Sequence, residues 1–388
     1  MNRRHFLGLG VAAGIAAAQK KPVEESVTAT ASQDKTPRVG IVLSSFGGSS
    51  DHDGTAIKGL RDPRPVDADL TAAQIDGMVR KAIELGDART GGLTKIIGPE
   101  EWVVVKVNLA AYPGQEGFKP GAATDPRVVR SLIHWMAESH CGQRITIADG
   151  AASWQPVEHS KAKTDGWCAE WGAAFGGVSY RQVVGEFSRK YPQIRCEIVD
   201  LNFDECLEMP VPGKALARNN PDGMYQIPKT IQQCDRMISV APLGTRAEVG
   251  VSLSLDNYFG IAPGSKYGFP KEGLTKLGSP EEVMIDLFNF RPADYVLLGG
   301  SYGLEGDGPC ASGSASVHHN LILAGANAVA TDAVAADIMG FPPTELACLQ
   351  LAWRNGLGIY EVDSIWTRGN EIEQARRPFR KPRDWKKA

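Results

Sequence analysis

A lysine set inside a run of valines is the most informative chemical feature of this chain of 388 residues. Lys106 lies in Trp102-Val103-Val104-Val105-Lys106-Val107-Asn108. An ammonium group in a buried strand is costly unless it is paired or its pKa falls. Side chains alternate along a strand, so Lys106 and Asn108 share a face. A lysine so placed can bind an anion or a carbonyl group, or act as a general base. The plainer alternative is a strand-end lysine that snorkels to water or pairs with a carboxylate for packing reasons. Asp149, which ends Ile145-Thr146-Ile147-Ala148-Asp149, is its expected partner. Thr245, Arg246 and Glu248 follow the apolar run 237–240 and offer an anion-binding group beside a carboxylate. Glu305 and Asp307 sit in a glycine-rich stretch, 299–309, which suits either a tight turn or a divalent cation held by oxygen ligands.

Other candidates carry weaker signals. Asp51-His52-Asp53 reads as a solvated turn before it reads as a metal site, and His318-His319 point to opposite faces if they lie on a strand. Trp154, Trp167 and Trp171 suit a satellite core or a pocket wall. There is no phosphate-binding loop of the Gly-x-x-x-x-Gly-Lys type and no dinucleotide spacing of glycines. The seven cysteines, at 141, 168, 196, 206, 234, 310 and 348, form no sequence-local zinc or iron–sulfur motif.

The elements that must position these residues alternate. Apolar runs at 39–43, 102–108, 145–149, 196–201, 237–240, 294–298 and 321–323 read as strands. Between them lie amphipathic patterns around Ile75 to Ile83, after the N-cap Asp125 with Pro126 at the first helical position, and after the capping box Ser279-Pro280-Glu281-Glu282. Two further helices are expected at 329–339 and 344–353. This predicts an α/β fold, a mostly parallel sheet with helices on both faces, with an α+β insertion at about 150–230. Ligands of such sheets bind at the carboxyl ends of the strands.

With 43% hydrophobic and 22% charged residues and a net charge of −3, the chain reads as an ordinary globular protein. It is neither disordered nor basic enough to coat nucleic acid. Its first residues, Asn2-Arg3-Arg4-His5-Phe6-Leu7 and an Ala/Gly-rich run ending at Ala18, resemble a twin-arginine export signal. The run is too short for a membrane span, which needs ~20 residues. Cleavage is expected after Ala18 or Ala31 and a periplasmic location follows, with the twin-arginine translocation machinery as partner and no transmembrane span in the mature chain. The sequence then divides into the signal, 1–18, a linker, 19–37, an α/β domain, 38–370, and a basic tail, 371–388. The last fifteen residues carry seven Arg/Lys against Asp384 alone, on an otherwise acidic body. Such a tail is either a solvated end or docks onto that body.

The strand 103–108, Thr124-Asp125-Pro126, Asp149-Gly150, Ser252-Leu253-Ser254-Leu255-Asp256-Asn257-Tyr258-Phe259-Gly260, Gly303-Leu304-Glu305-Gly306-Asp307-Gly308-Pro309 and Ala330-Thr331-Asp332-Ala333-Val334-Ala335 together resemble the "domain of unknown function 362" family across about 39–358. The resemblance implies an α/β fold and adds Asn257 to the candidate site. Some members carry ferredoxin-type iron–sulfur modules, and none is present in this sequence. The chain departs from the family pattern at Val107, where a proline is usual, at Thr245-Arg246 in place of a lysine–histidine pair, at Asp256 in place of lysine, and at Gly299-Gly300 in place of Asp-Gly.

The expectation is an exported enzyme acting on a small anionic or carbonyl-bearing substrate, with Lys106, Asp149 and Arg246 catalytic, Asn108, Thr245 and Asn257 binding substrate, and Glu305 and Asp307 holding a divalent metal. The alternatives are a non-catalytic periplasmic binding or cofactor-maturation protein, and a partner subunit of an exported redox complex.

Overall fold

A computed structural model describes residues 36–51, 53–86, 92–151 and 171–388. The export segment, Ala31, His52, Trp154, Trp167 and Cys168 lie outside these residues.

Ten strands form the main sheet: β1 (Arg38–Leu43), β2 (Trp102–Val107), β3 (Arg144–Asp149), β4 (Arg195–Asp200), β5 (Arg236–Ala241), β6 (Gly244–Arg246), β7 (Gly250–Ser252), β8 (Tyr295–Glu305), β9 (Ala315–Gly325) and β10 (Trp366–Gly369). Their order is β10-β1-β9-β8-β5-β2-β3-β4, with β6 and β7 attached beyond the end of β8. The run from β8 through β5, β2 and β3 to β4 is parallel throughout. β9 is antiparallel to both β8 and β1, so the sheet is mostly parallel rather than wholly so.

The helices that cover it are α1 (Ala72–Gly86), α2 (Pro126–Glu138), α3 (Tyr180–Lys190), α4 (Pro280–Phe290), α5 (Ala328–Ile338) and α6 (Ala347–Arg354). Strand alternation assigns the two cores. Val103, Val105 and Val107 pack with Ile75, Leu132 and Phe187 of α1, α2 and α3. Val104 packs with Leu287, Ala333 and Leu349 of α4, α5 and α6. Each fully buried Val, Leu or Ile contributes ~1.5–3 kcal/mol. Local signals set the helix starts: the Asp125 side chain accepts the backbone N–H of Arg127, and both halves of the Ser279/Glu282 capping box are made.

Two regions differ from expectation. Within 150–230, α3 and β4 extend the main sheet at its edge, and a separate two-stranded hairpin (Cys206–Pro210 with Met224–Pro228) stands off it. Trp171 is buried there against Tyr180 and belongs to the main core with Val103, Leu132 and Phe187, not to a satellite core. The glycine-rich stretch after residue 298 is strand, not loop, as far as Glu305, because β9 pairs along it from Val296↔Gly325 to Glu305↔Ala315.

Candidate functional site

The carboxyl ends of β2, β3 and β6 open into one cleft of about 450 Å³, whose walls include Asn108, Asp149, Arg246, Asp256, Phe259 and Lys271. It lies where an open α/β sheet places its ligands.

Lys106 sits beneath the cleft and does not line it. Its Nζ donates to Asp149 Oδ1 at 2.6 Å, to Val107 O and Asn257 Oδ1 at 2.7 Å, and to Asn257 O at 2.9 Å. Burial pulls the ammonium below its usual range, opposed by the Asp149 carboxylate. Four oxygen acceptors around one nitrogen favour the charged form, with its three protons. The expected pairing with Asp149 is therefore present. Every proton of Lys106 is committed, so the catalytic, anion-binding role expected of it is not what the structure shows. As in the packing alternative, it holds other groups in place rather than meeting a ligand.

Asp149 is the residue through which this network reaches the cleft. Its Oδ2 accepts the Leu109 N–H at 2.9 Å, which fixes the carboxylate plane. Asn257 also borders the cleft, but both ends of its amide are occupied. Its Nδ2 donates to Lys106 O at 3.1 Å and to Ser239 Oγ at 3.0 Å, while its Oδ1 receives Lys106. Gly260 leaves room for the pair, because a Cβ there would fall against Asp149 Oδ1 and Lys106 Nζ.

Arg246 faces the same cleft from β6. Its Nε donates to Glu248 at 2.9 Å, its Nη1 to Asp256 at 2.7 Å, and the guanidinium lies 4.7 Å over the Phe259 ring. Burial works against its charge, but Asp256 and Glu248 outweigh that and hold its pKa above the ordinary value. Its Nη2 and the Asn108 carboxamide have no hydrogen-bond partner among the described residues, and both residues line the cleft. Asn108 is positioned by its backbone: its N–H donates to Thr124 Oγ1, whose hydroxyl donates to Val240 O.

Three expected site residues lie elsewhere. Thr245 is buried, and its hydroxyl donates to Gly306 O at 2.6 Å, tying β6 to the turn after β8. Glu305 and Asp307, expected to hold a metal ion, are engaged by arginines. Glu305 Oε2 accepts the Arg380 N–H, and Asp307 forms a 2.7 Å ion pair with Arg383. No group of three His, Cys, Asp or Glu side chains among the described residues is arranged to hold a metal ion. Asp51 pairs with Arg368 and Asp53 accepts the Thr55 N–H, as a turn would have it. His318 stacks on Tyr302, and His319 donates to Ala375 O. The six described cysteines are unpaired thiols.

Sequence reasoning missed Lys271, whose buried Nζ bonds to Gly150 O and Phe259 O and so clamps two loops of the cleft. It sits in a Pro/Gly-rich loop, where no periodicity marks a lysine as buried. Asp332 was visible only as part of a motif. Its carboxylate, on α5, accepts the N–H groups of Ser254 and Leu255 and so shapes the turn that carries Asp256 and Asn257.

Fold and site together define an α/β protein with a mixed-charge cleft at the carboxyl ends of its parallel strands. The chain belongs to the family described as "Domain of unknown function (DUF362)", which matches residues 103–337, from the lysine strand to the end of α5. A comparison with curated proteins finds no match. Among solved structures, the chain is similar to a protein from Thermotoga maritima (12% identity, TM-score 0.35, covering 74% of this chain and 59% of that one). It is also similar to the lactate racemase apoprotein from Thermoanaerobacterium thermosaccharolyticum (11% identity, TM-score 0.32, covering 70% and 58%). The chain thus spans about three fifths of the length of either structure. No helix of the described residues is long and apolar enough to cross a membrane.

Proposed function

We propose that this protein is an exported enzyme that takes a small carboxylate- or carbonyl-bearing molecule into the cleft at the strand ends. In this reading Arg246 and the Asn108 amide anchor the polar group of the ligand, and Asp149 handles a proton. One observation carries it: Asp149 is held by a fully buried lysine yet borders the same cleft as Arg246. A buried ion pair adds little net stability, whereas such pairs in clefts mark functional sites. Divalent metal is not part of the proposal, because Arg380 and Arg383 neutralise the two carboxylates expected to hold it.

The second reading is a binding protein using the same cleft. It is favoured by the full occupancy of Lys106 and Asn257, which leaves Asp149 as the sole proton-transfer group of that network. One experiment addresses both. The mature chain is titrated with small 2-oxo, 2-hydroxy and dicarboxylic acids, reading thermal stabilisation for binding and proton NMR for turnover. At least one acid is expected to stabilise the protein saturably, with the effect weakened in Arg246→Lys, which keeps the charge and loses the planar fork. Binding without turnover selects the second reading. No stabilisation by any acid, or equal stabilisation of the variant, sinks both.

Export rests on Arg3-Arg4-His5-Phe6-Leu7 and the small-residue run to Ala18. A reporter fused after residue 35 is expected to reach the periplasm, and the Arg3→Lys/Arg4→Lys form is expected to stay in the cytoplasm.

A further inference from the structure

The basic end of the chain does not trail into solvent. After α6 and β10, residues 376–388 run without regular structure across the molecule, fixed at intervals by charge. Arg376 pairs with Asp337 at 3.1 Å, Arg383 with Asp307 at 2.7 Å and Lys387 with Glu345 at 2.7 Å. Arg380 and the end of β8 bond reciprocally: the Arg380 N–H donates to Glu305, and the Gly306 N–H donates to Arg380 O. Phe379 is buried, and Trp385 packs against the Phe341 ring.

Two of these contacts lead directly to the cleft. Arg246 and Gly250 are partners in the β6–β7 ladder. A Cβ on Gly250 would lie 2.6 Å from Trp385 Nε1, so the indole rests on the backbone directly across from Arg246. On the other side, Gly306 accepts the hydroxyl of Thr245, the neighbour of Arg246, while its own N–H is held by the tail. The turn that carries Asp307, fixed by Arg383, continues into Pro309 on the cleft wall.

We propose that residues 376–388 form a strap that positions Arg246, with Trp385 seated on its cross-strand partner and Arg380 and Arg383 fixing the turn beside it. The strap is held by backbone hydrogen bonds, by buried Phe379 and by the Trp385–Phe341 contact. It is also held by ion pairs, which are weak singly and screened by salt, so the ion-paired part of its grip depends on ionic strength. Trp385 and Arg383 are positioning residues: they touch the hairpin and the turn, not the cleft. The proposal rests on reading the cleft as the ligand site, but its test needs no ligand, so the two can fail separately.

The test is hydrogen exchange read by mass spectrometry on the mature chain, together with the rate at which phenylglyoxal modifies Arg246. Trp385→Ala and Arg383→Ala are expected to raise exchange in 244–252 and 305–310 about tenfold while leaving β2 and β3 unchanged, and to speed modification of Arg246. Trp385→Phe is expected to restore most of the protection, and high salt is expected to mimic Arg383→Ala in the wild-type chain. Unchanged exchange in 244–252 overturns the proposal, as does a rise of equal size in β2 and β3, which would mean general destabilisation.

Discussion

Lys106 Nζ lies 2.6 Å from Asp149 Oδ1, with the two side chains 1% and 3% exposed, and of the pair only Asp149 borders the cleft. The lysine is thus the fixed counter-charge of a carboxylate that a ligand can meet. Its other acceptors, two main-chain carbonyls and the Asn257 amide, join the end of β2 to the turn after β7. Charge placement and loop placement are therefore one network.

Lys106→Met removes the cation and leaves Asp149 buried without compensation, which costs ~3–5 kcal/mol. Lys106→Met/Asp149→Asn removes both charges while keeping an acceptor for the Leu109 N–H. It is expected to recover part of the loss, with a coupling of roughly 1–3 kcal/mol between the sites. Urea unfolding of the four forms measures this. A single-variant cost under about 1 kcal/mol would show that the pair is solvated rather than buried.

Gly260 is required for space, since it is absent from the glycines with left-handed φ. Gly260→Ala drives a methyl between Asp149 and Lys106 and against the lysine stem. The expected cost is ~1–3 kcal/mol of stability, together with loss of the ligand-induced stabilisation expected of the wild type. Wild-type stability and ligand response in this variant would mean that the 260 backbone moves freely away from the pair.

Much of this site is legible in the sequence because its signals are local. A lysine within valines announces a buried charge, and polar residues after apolar runs fall at strand ends, so Lys106, Asp149, Asn108 and Arg246 are found together. The failures are non-local. Glu305 and Asp307 look like cation ligands only until Arg380 and Arg383, 75 and 76 residues further on, are brought beside them. Residues 299–305 look like loop because glycine has low strand propensity, which pairing with β9 overrides. Thr245 follows a strand and so looks like a ligand-facing residue, yet its hydroxyl is turned to the carbonyl of a turn 61 residues away.

Asp332 gives a pH dependence of definite sign. Burial pushes its carboxyl up from 3.8 to about 7, against the two N–H groups it accepts. The folded state therefore holds a proton that the unfolded chain releases near 3.8. The corresponding stability is present at low pH and lost as pH rises through about 7, by roughly 1–4 kcal/mol. Asp332→Asn does not titrate, so its stability deficit relative to wild type is expected to narrow between pH 5 and about 8. Unfolding free energies of both forms across that range decide the matter, and a constant deficit would exclude the titration.

His319 acts in the opposite direction. Its Nε2 lies 2.8 Å from Ala375 O, a group that can only accept, so Nε2 carries the proton of the neutral ring and donates it. Nδ1 is left buried without a partner among the described residues. Burial pushes the ring pKa down from 6.5 to about 4. As pH falls below 6.5 the unfolded chain takes up a proton that the folded chain refuses until about 4, so stability is present above that window and lost across it, by roughly 1–3 kcal/mol. Gln in place of His319 can donate to the same carbonyl and does not titrate. His319→Gln is thus expected to keep its melting temperature between pH 7 and 5 better than wild type does. The difference should grow toward pH 5, where the acid loss at His319 is well advanced, and Asp332, common to both proteins, cancels from it. Parallel melting curves for the two proteins across that range would show that the ring is already charged in the fold, or that the contact with Ala375 is open to water.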